Sequence, residues 1–99
     1  MTKLLRVVPS PLKGKKWRAV FQDGERKYHR DFGAKGYRDY TLMTDPAEAK
    51  VVRDRYRIRH NKELANAYDT PGVLALYTLW GPSQNMQTNI ANYKKVFGL

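Results

Sequence analysis

The side chains of this sequence best able to do chemistry are lysines and arginines concentrated in its first third. Residues 1–30 carry nine cationic and two acidic side chains, residues 31–60 carry seven and five, and residues 61–99 carry three and two. Cations at this density neutralise phosphates or contact other acidic surfaces, although a solvated, soluble surface is the alternative interpretation. We predict an anion-binding site formed by Lys13, Lys15, Lys16, Arg18, Arg26, Lys27 and Arg30.

Other kinds of site have little support in the sequence. The chain has no cysteine, which excludes disulfides and thiolate chemistry. His29 and His60 lack a third metal ligand at a recognisable spacing. Ser10 lies between prolines and Ser83 has the position of a helix cap, so neither is expected to belong to a nucleophilic triad. We therefore expect no catalytic residue, no metal and no cofactor.

Three runs in the first part of the chain predict the antiparallel β-strands that position the basic residues. Residues 4–8 are mostly apolar and are followed by prolines. Residues 17–21 and 26–32 alternate between two faces, and the Asp-Gly pair between them is typical of a hairpin turn. An aromatic face is expected to pack against the rest of the protein. The opposite, outer face is expected to carry Arg18, Lys27 and His29.

Three helices are predicted in the second part of the chain. Asp45, proline and then Glu48 form a capping sequence for a helix that runs to about Leu64. Residues 73–80 are apolar on nearly every side and predict the most buried helix. Ser83 is expected to cap the third helix. The apolar stripe of that helix consists of Met86, Ile90, Tyr93 and Phe97.

The predicted fold class is α+β, with a small antiparallel sheet of two to three strands followed by three α-helices. Residues 1–99 are expected to form one domain, with a basic β-sheet part at 1–43 and a helical part at 44–99. A short extended segment is expected at 37–43. The first helix has two apolar edges, one formed by Ala47, Val51 and Ile58 and the other by Val52 and Tyr56.

A family resemblance starts from the segment Phe32–Thr41, which contains two glycines and two tyrosines. The residues that extend it are Arg55-Tyr56, Arg59-His60, Glu63, Thr70, Gly72, Leu79-Trp80, Tyr93 and Phe97-Gly98. This set resembles an uncharacterised family of small basic proteins encoded by nucleocytoplasmic large DNA viruses of algae and amoebae. The resemblance implies a location in the virion, and in the host cell cytoplasm during assembly. It carries over no catalytic residues, because none are established for that family.

Two functions are compatible with these features. The favoured hypothesis is a non-enzymatic structural protein of the virion, such as a minor capsid protein, whose basic face contacts acidic capsid proteins or an anionic membrane surface. Its neighbours in the particle would contact exposed aromatic residues. The candidates for these contacts are Tyr37, Tyr40 and Tyr68. The alternative is a sequence-independent nucleic-acid-binding protein that takes part in packaging viral DNA.

Overall fold

Three antiparallel strands precede three α-helices in the computed structural model, which describes residues 1–99. The sheet has the order β1-β2-β3, and two short 3-10 turns flank the first helix. The predicted α+β fold is therefore confirmed. The elements are β1 (Thr2–Pro9), β2 (Lys15–Asp23), β3 (Arg26–Ala34), α1 (Pro46–Arg59), α2 (Pro71–Thr78) and α3 (Met86–Phe97), with 3-10 turns at Tyr40–Leu42 and Asn61–Ala65.

The hairpin between β2 and β3 follows the predicted turn. Asp23 pairs with Arg26, and Gly24 has a positive φ of 62°, a conformation that glycine adopts without steric cost. The strand alternation is also confirmed, because Phe21 and Phe32 are fully buried on the face that meets the helices.

A bulge in β1 changes which of its residues face outward. Leu4 pairs with Phe21 whereas Arg6 pairs with Val20, so Leu5 is an extra residue between the two pairs. Strict alternation would place Arg6 on the same face as the buried Leu4. The bulge instead places Arg6 on the outer face of the sheet.

The core lies between the inner face of the sheet and α2, which is the most buried helix, as predicted. Thr70 caps α2 by accepting a hydrogen bond from the Val73 amide at 3.4 Å. On the other side, α3 packs against α2 through aromatic rings. The Phe97 ring lies 5.1 Å from the ring of Tyr77 and 5.2 Å from that of Tyr93.

Helix α1 ends at Arg59, earlier than the predicted Leu64. The backbone leaves helical geometry at His60 and continues into the 3-10 turn, which brings Glu63 against the start of α2. The Glu63 carboxylate lies directly against Gly72, so a side chain at position 72 would displace it. This contact joins the 3-10 turn after α1 to the start of α2.

The prediction for the buried face of α1 was wrong in part. Ala47, Val51 and Ile58, assigned to one apolar edge, are all exposed, and the exposed fractions of Val51 and Ile58 are 50% and 77%. Ala49 is buried and Val52 is half-buried, and the inward face also contains Arg53 and Arg57. The guanidiniums lie inward because they donate to backbone carbonyls beside the end of α2.

Two local predictions near the helices also differ from the structure. The segment at 37–43 contains a 3-10 turn rather than an extended run, because Asp39 caps it by accepting a hydrogen bond from the Thr41 amide at 2.9 Å. The cap of α3 is Asn85, which accepts from the Thr88 amide at 3.0 Å. Ser83 lies two residues earlier and accepts a hydrogen bond from the Asn85 amide.

Candidate anion-binding face

The outer face of the sheet is open to solvent, because the helices pack against the other face. A shallow groove of about 470 Å³ crosses all three strands. Arg6 from β1, and Lys27 and His29 from β3, are exposed beside it, with Arg18 of β2 between them. Cations on neighbouring strands of one surface produce a positive potential that attracts anions. We refer to this side of the sheet, with its groove and its cations, as the outer face.

One carboxylate, that of Asp31, organises the end of the outer face nearest the β1–β2 loop. It accepts hydrogen bonds from Arg18 Nε at 3.0 Å and from Ser10 Oγ at 2.6 Å. The Asp31 side chain is only 8% exposed. The hydrogen bond from Arg18 lowers the pKa of Asp31, and the bond from Ser10 lowers it further, against the opposing effect of burial. Arg18 is therefore partly neutralised within the protein.

Ser10, His29 and Asp31 come close together, but their order differs from that of a nucleophilic triad. His29 Nε2 lies 3.7 Å from Asp31 Oδ2. The Ser10 hydroxyl donates to the carboxylate itself, so the imidazole is not placed to accept its proton. The three side chains form a bridge across the sheet rather than a serine–histidine pair.

Two of the seven predicted anion-binding residues lie on the outer face, and two more are exposed at the adjoining β1–β2 connection. Arg18 and Lys27 belong to the face itself, as the alternation predicted. Lys13 and Lys15 are exposed at the turn between β1 and β2 and at the start of β2. These side chains are free to follow an anionic surface beyond the groove.

Lys16 does not join the outer face, contrary to the predicted cluster. Its Nζ reaches the helical side, where it lies 2.7 Å from Asp39 Oδ2 and also donates to the carbonyl of Tyr37. Its side chain is 14% exposed, and that of Asp39 is 3% exposed. A carboxylate buried to this degree needs a partner charge, which Lys16 supplies.

Arg26 and Arg30 also lie away from the outer face, because the strand alternation places them on the same side as Tyr28. Their guanidiniums stack over the Tyr28 ring, 4.7 and 4.8 Å from its centroid. Arg30 Nη2 also lies 3.9 Å from Asp69 Oδ2. The predicted cluster of seven is thus divided between the two sides of the sheet.

The three tyrosines predicted to contact other subunits differ in exposure. Tyr37 is 74% exposed. Tyr40 is half-buried beneath the guanidinium of Arg53. Tyr68 is half-buried, with its ring 6.3 Å from that of Phe21 and 5.8 Å from that of Phe97. Tyr68 faces inward because it links the sheet to α3, and only Tyr37 presents most of its surface to solvent.

Sequence reasoning missed Arg6, which contributes a cation to the outer face from β1. The adjacent apolar residues Leu4 and Leu5 interrupt the alternation in this strand, and that interruption is the signal of the bulge. A pattern shifted by one residue after Leu5 would have placed Arg6 outward and Val7 inward.

No group of three or more histidine, cysteine or acidic side chains could hold a metal ion. None of the helices has the length and apolar character needed to cross a membrane.

Comparison with known proteins gives one match. Residues 5–60 match the profile of a family of unknown function (DUF5754). The matched segment spans more than half of the chain and includes the whole outer face except the first residues of β1. No curated protein and no solved structure matches the chain.

Proposed function

The chain belongs to this family of unknown function, and we propose that it is a non-enzymatic protein whose outer face binds duplex nucleic acid. One observation supports the proposal most directly: the outer face carries cations from all three strands and is covered by no helix. Its one nearby carboxylate, on Asp31, is already bonded to Arg18 and Ser10. Arg6 and Lys27 therefore remain available to an external anion.

The dimensions of the sheet suit a DNA groove. Three strands spaced about 4.8 Å apart make a surface roughly 10 Å wide, close to the major-groove width of about 12 Å. Sheets of this kind can lie in a groove of the duplex with their cations at the phosphates. The opposite face of the sheet, held on α2, keeps the three strands in a fixed arrangement.

The side chains of the outer face favour contacts with the phosphate backbone. Val8 and Val20 occupy its centre, and the aromatic side chains of β2 face inward. The two rings at the groove are those of Tyr28, which is half-buried beneath Arg26 and Arg30, and His29, which lies beside Asp31. Two rings that already have partners make a poor platform for stacking a run of unpaired bases. We therefore expect duplex binding with little sequence preference.

Salt dependence tests the proposal quantitatively. The uncommitted or partly committed cations on and beside the face are Lys13, Lys15, Arg6, Arg18 and Lys27. Neutralising about five phosphates gives a log–log slope of affinity against salt of roughly −4 to −5. Fluorescence anisotropy with a labelled duplex of about 20 base pairs, titrated between about 50 and 200 mM salt, measures it.

A double variant localises the binding. Arg6→Gln with Lys27→Gln is expected to weaken affinity by about tenfold and to reduce the slope by about 2. The matched control is Lys94→Gln with Lys95→Gln, which removes the same charge from exposed positions of α3. The control should change affinity by less than about threefold, since its cations are far from the contact. Equal losses in the two variants would contradict binding at the outer face.

A structural role in a virus particle is the second candidate. It is supported by the resemblance to small basic viral proteins and by the exposed apolar side chains of α1, Val51 and Ile58. In this role the outer face would contact acidic capsid proteins or the anionic membrane beneath a capsid shell. Fractionation of purified particles tests it: the protein should be recovered with the shell, and recovery only with the DNA-containing core would contradict it.

A further inference from the structure

A second concave site lies on the helical side of the sheet, away from the outer face. It is a cleft of about 380 Å³ between the segment that follows β3 and helix α1. Val52 and Tyr56 of α1 form one wall, and Leu79 and Trp80 form the floor. Arg38 and Arg59 stand at its mouth. The volume is within the range of sites that accept one large side chain or a small ligand.

The walls of the cleft are apolar and rigid. The rings of Tyr56 and Trp80 stack 4.2 Å apart with an interplanar angle of 10°, and His60 stacks on the other side of Tyr56. Ring stacking fixes the shape of the wall without a ligand, which lowers the entropic cost of binding.

The polar groups beneath the cleft are already satisfied. Lys16 is paired with Asp39, and Asp39 also accepts a hydrogen bond from the Thr41 amide. No buried side-chain nitrogen or oxygen in the protein lacks a hydrogen-bond partner. Lys16 and Asp39 are thus committed to each other, and most of the other lining residues are apolar, so the cleft suits an apolar side chain.

The mouth of the cleft and the adjoining surface of α1 are cationic. The side chain of Arg38 is 70% exposed and lies 3.9 Å from the similarly accessible carboxylate of Glu48, a solvent-exposed pair of little energetic value that a ligand carboxylate can replace. Arg59 is exposed without a carboxylate in ion-pair distance. A shallow groove formed by Val52, Arg55, Ile58 and Arg59 continues from the cleft along α1. Arginines around an apolar pocket are typical of a surface that binds an acidic protein segment.

We propose that this cleft binds an acidic peptide segment of a partner protein. One aromatic or large aliphatic side chain of the segment enters the cleft, and carboxylates beside it pair with Arg38 and Arg59. A second copy of the chain is a poor occupant, because two molecules with a net charge of +10 repel each other. The site goes beyond nucleic-acid binding, and it would allow the protein to hold DNA and an acidic partner at once.

A designed peptide tests the proposal without knowledge of the natural partner. The probe is a fluorescein-labelled peptide with a central Trp flanked by Glu residues, and binding to the full chain is measured by anisotropy. Two control peptides replace the Trp by Ser or the Glu residues by Gln. We expect each control to bind at least about tenfold more weakly, because the apolar anchor and the carboxylates both contribute.

Paired variants of the protein locate the site. Arg38→Gln with Arg59→Gln should weaken peptide binding by about tenfold, since two ion pairs are lost. The control, Lys50→Gln with Lys62→Gln, removes the same charge from exposed positions outside the cleft and should change affinity by less than about threefold. Circular dichroism establishes that both variants retain the fold.

Three results would overturn the proposal. The first is equal weakening in the two charge variants. The second is equal affinity for the peptides with Trp and with Ser. The third is that the variant of Arg38 and Arg59 binds a single-stranded oligothymidylate more weakly but binds the peptide as well as the wild type does. That result would assign the cleft to nucleic acid. The DNA affinity of the Arg6→Gln, Lys27→Gln variant is measured separately, so failure of one site does not decide the other.

Discussion

Arg6 of the sheet and the two inward arginines of α1, Arg53 and Arg57, are used in opposite ways. Arg6 is exposed on the outer face. Arg57 instead points inward, and its Nη1 donates to the carbonyl oxygens of Leu76 and Trp80 at 2.9 and 2.8 Å. Arg53 Nε donates to the carbonyl of Gly81 at 2.7 Å. Arg6 therefore remains available to an external anion, whereas Arg53 and Arg57 form internal structural bonds.

The difference follows from what lies opposite each arginine. The last turn of a helix has carbonyls without intrahelical partners and a partial negative charge, which cations stabilise. Helix α1 presents Arg53 and Arg57 to this end of α2. Burial lowers the pKa of Arg57, but an arginine remains protonated and keeps its donors. No helix end of this kind faces Arg6.

The largest effect on stability is expected at Asn89, an uncharged polar side chain buried in the helical half. Asn89 is fully buried and bonds to the carbonyls of Thr78 and Ser83 and to the amide of Ser83. Asn89→Leu should lower the free energy of unfolding by about 4 kcal/mol, because three backbone groups lose their partners. Urea denaturation measures it. The control Gln87→Leu, at an exposed position of α3, should change stability by less than about 0.5 kcal/mol.

The comparison between the arginines is tested by Arg57→Met. Methionine retains most of the aliphatic length, but the carbonyls of Leu76 and Trp80 lose their donor. We expect a loss of about 3 kcal/mol in the free energy of unfolding. Arg55→Met is the control, because Arg55 is exposed on the same helix and should change stability by less than about 0.5 kcal/mol. Similar losses in both variants would show that the inward bonds are not what distinguishes Arg57.

The elements of the fold could be predicted because their signals are local. The Asp-Gly hairpin, the Asp45 cap and the apolar run of α2 each depend on a few adjacent residues, and each is present. The buried face of α1 could not be predicted in this way. Its acceptors are carbonyls about twenty to thirty residues away, and hydrophobic periodicity counts an arginine as a surface residue.

The outer face could be predicted only in part, because the sequence patterns that predict it are local. Alternation correctly places Arg18 and Lys27 outward, since it depends only on strand geometry. It does not reveal that Lys16 pairs with Asp39 across 23 positions of sequence, or that a bulge at Leu5 adds Arg6. Charge counting finds the region, and long-range contacts decide which cations remain free.

A pH titration tests the ion pair between Arg18 and Asp31 on the outer face. The pKa of Asp31 is lowered by Arg18 from its ordinary value of 3.8. The bond therefore contributes stability fully above that value, and the contribution is lost as the pH falls through the lower pKa of the folded state. Between pH 5 and pH 2, the wild type should lose more stability than Asp31→Asn, measured by urea denaturation. Parallel curves for the two proteins would contradict this assignment.

The same substitution should improve DNA binding. Asp31→Asn removes the carboxylate that partly neutralises Arg18, and it makes the outer face more positive by one charge. We expect an affinity about twofold to fivefold higher, with a salt slope steeper by up to about 1. Unchanged affinity at low salt would indicate that Arg18 does not contact the duplex.

The smallest effect on stability is expected for the exposed cations of the outer face. Arg6→Gln and Lys27→Gln, each measured alone by urea denaturation, should change the free energy of unfolding by less than about 0.5 kcal/mol. We expect the substitutions to stabilise the protein slightly. A chain with a net charge of +10 has less self-repulsion once it loses a positive charge that has no internal partner. A loss of stability at Arg6 comparable to that at Arg57 would remove the distinction between the two regions, and the outer face would then be a structural element rather than a free binding surface.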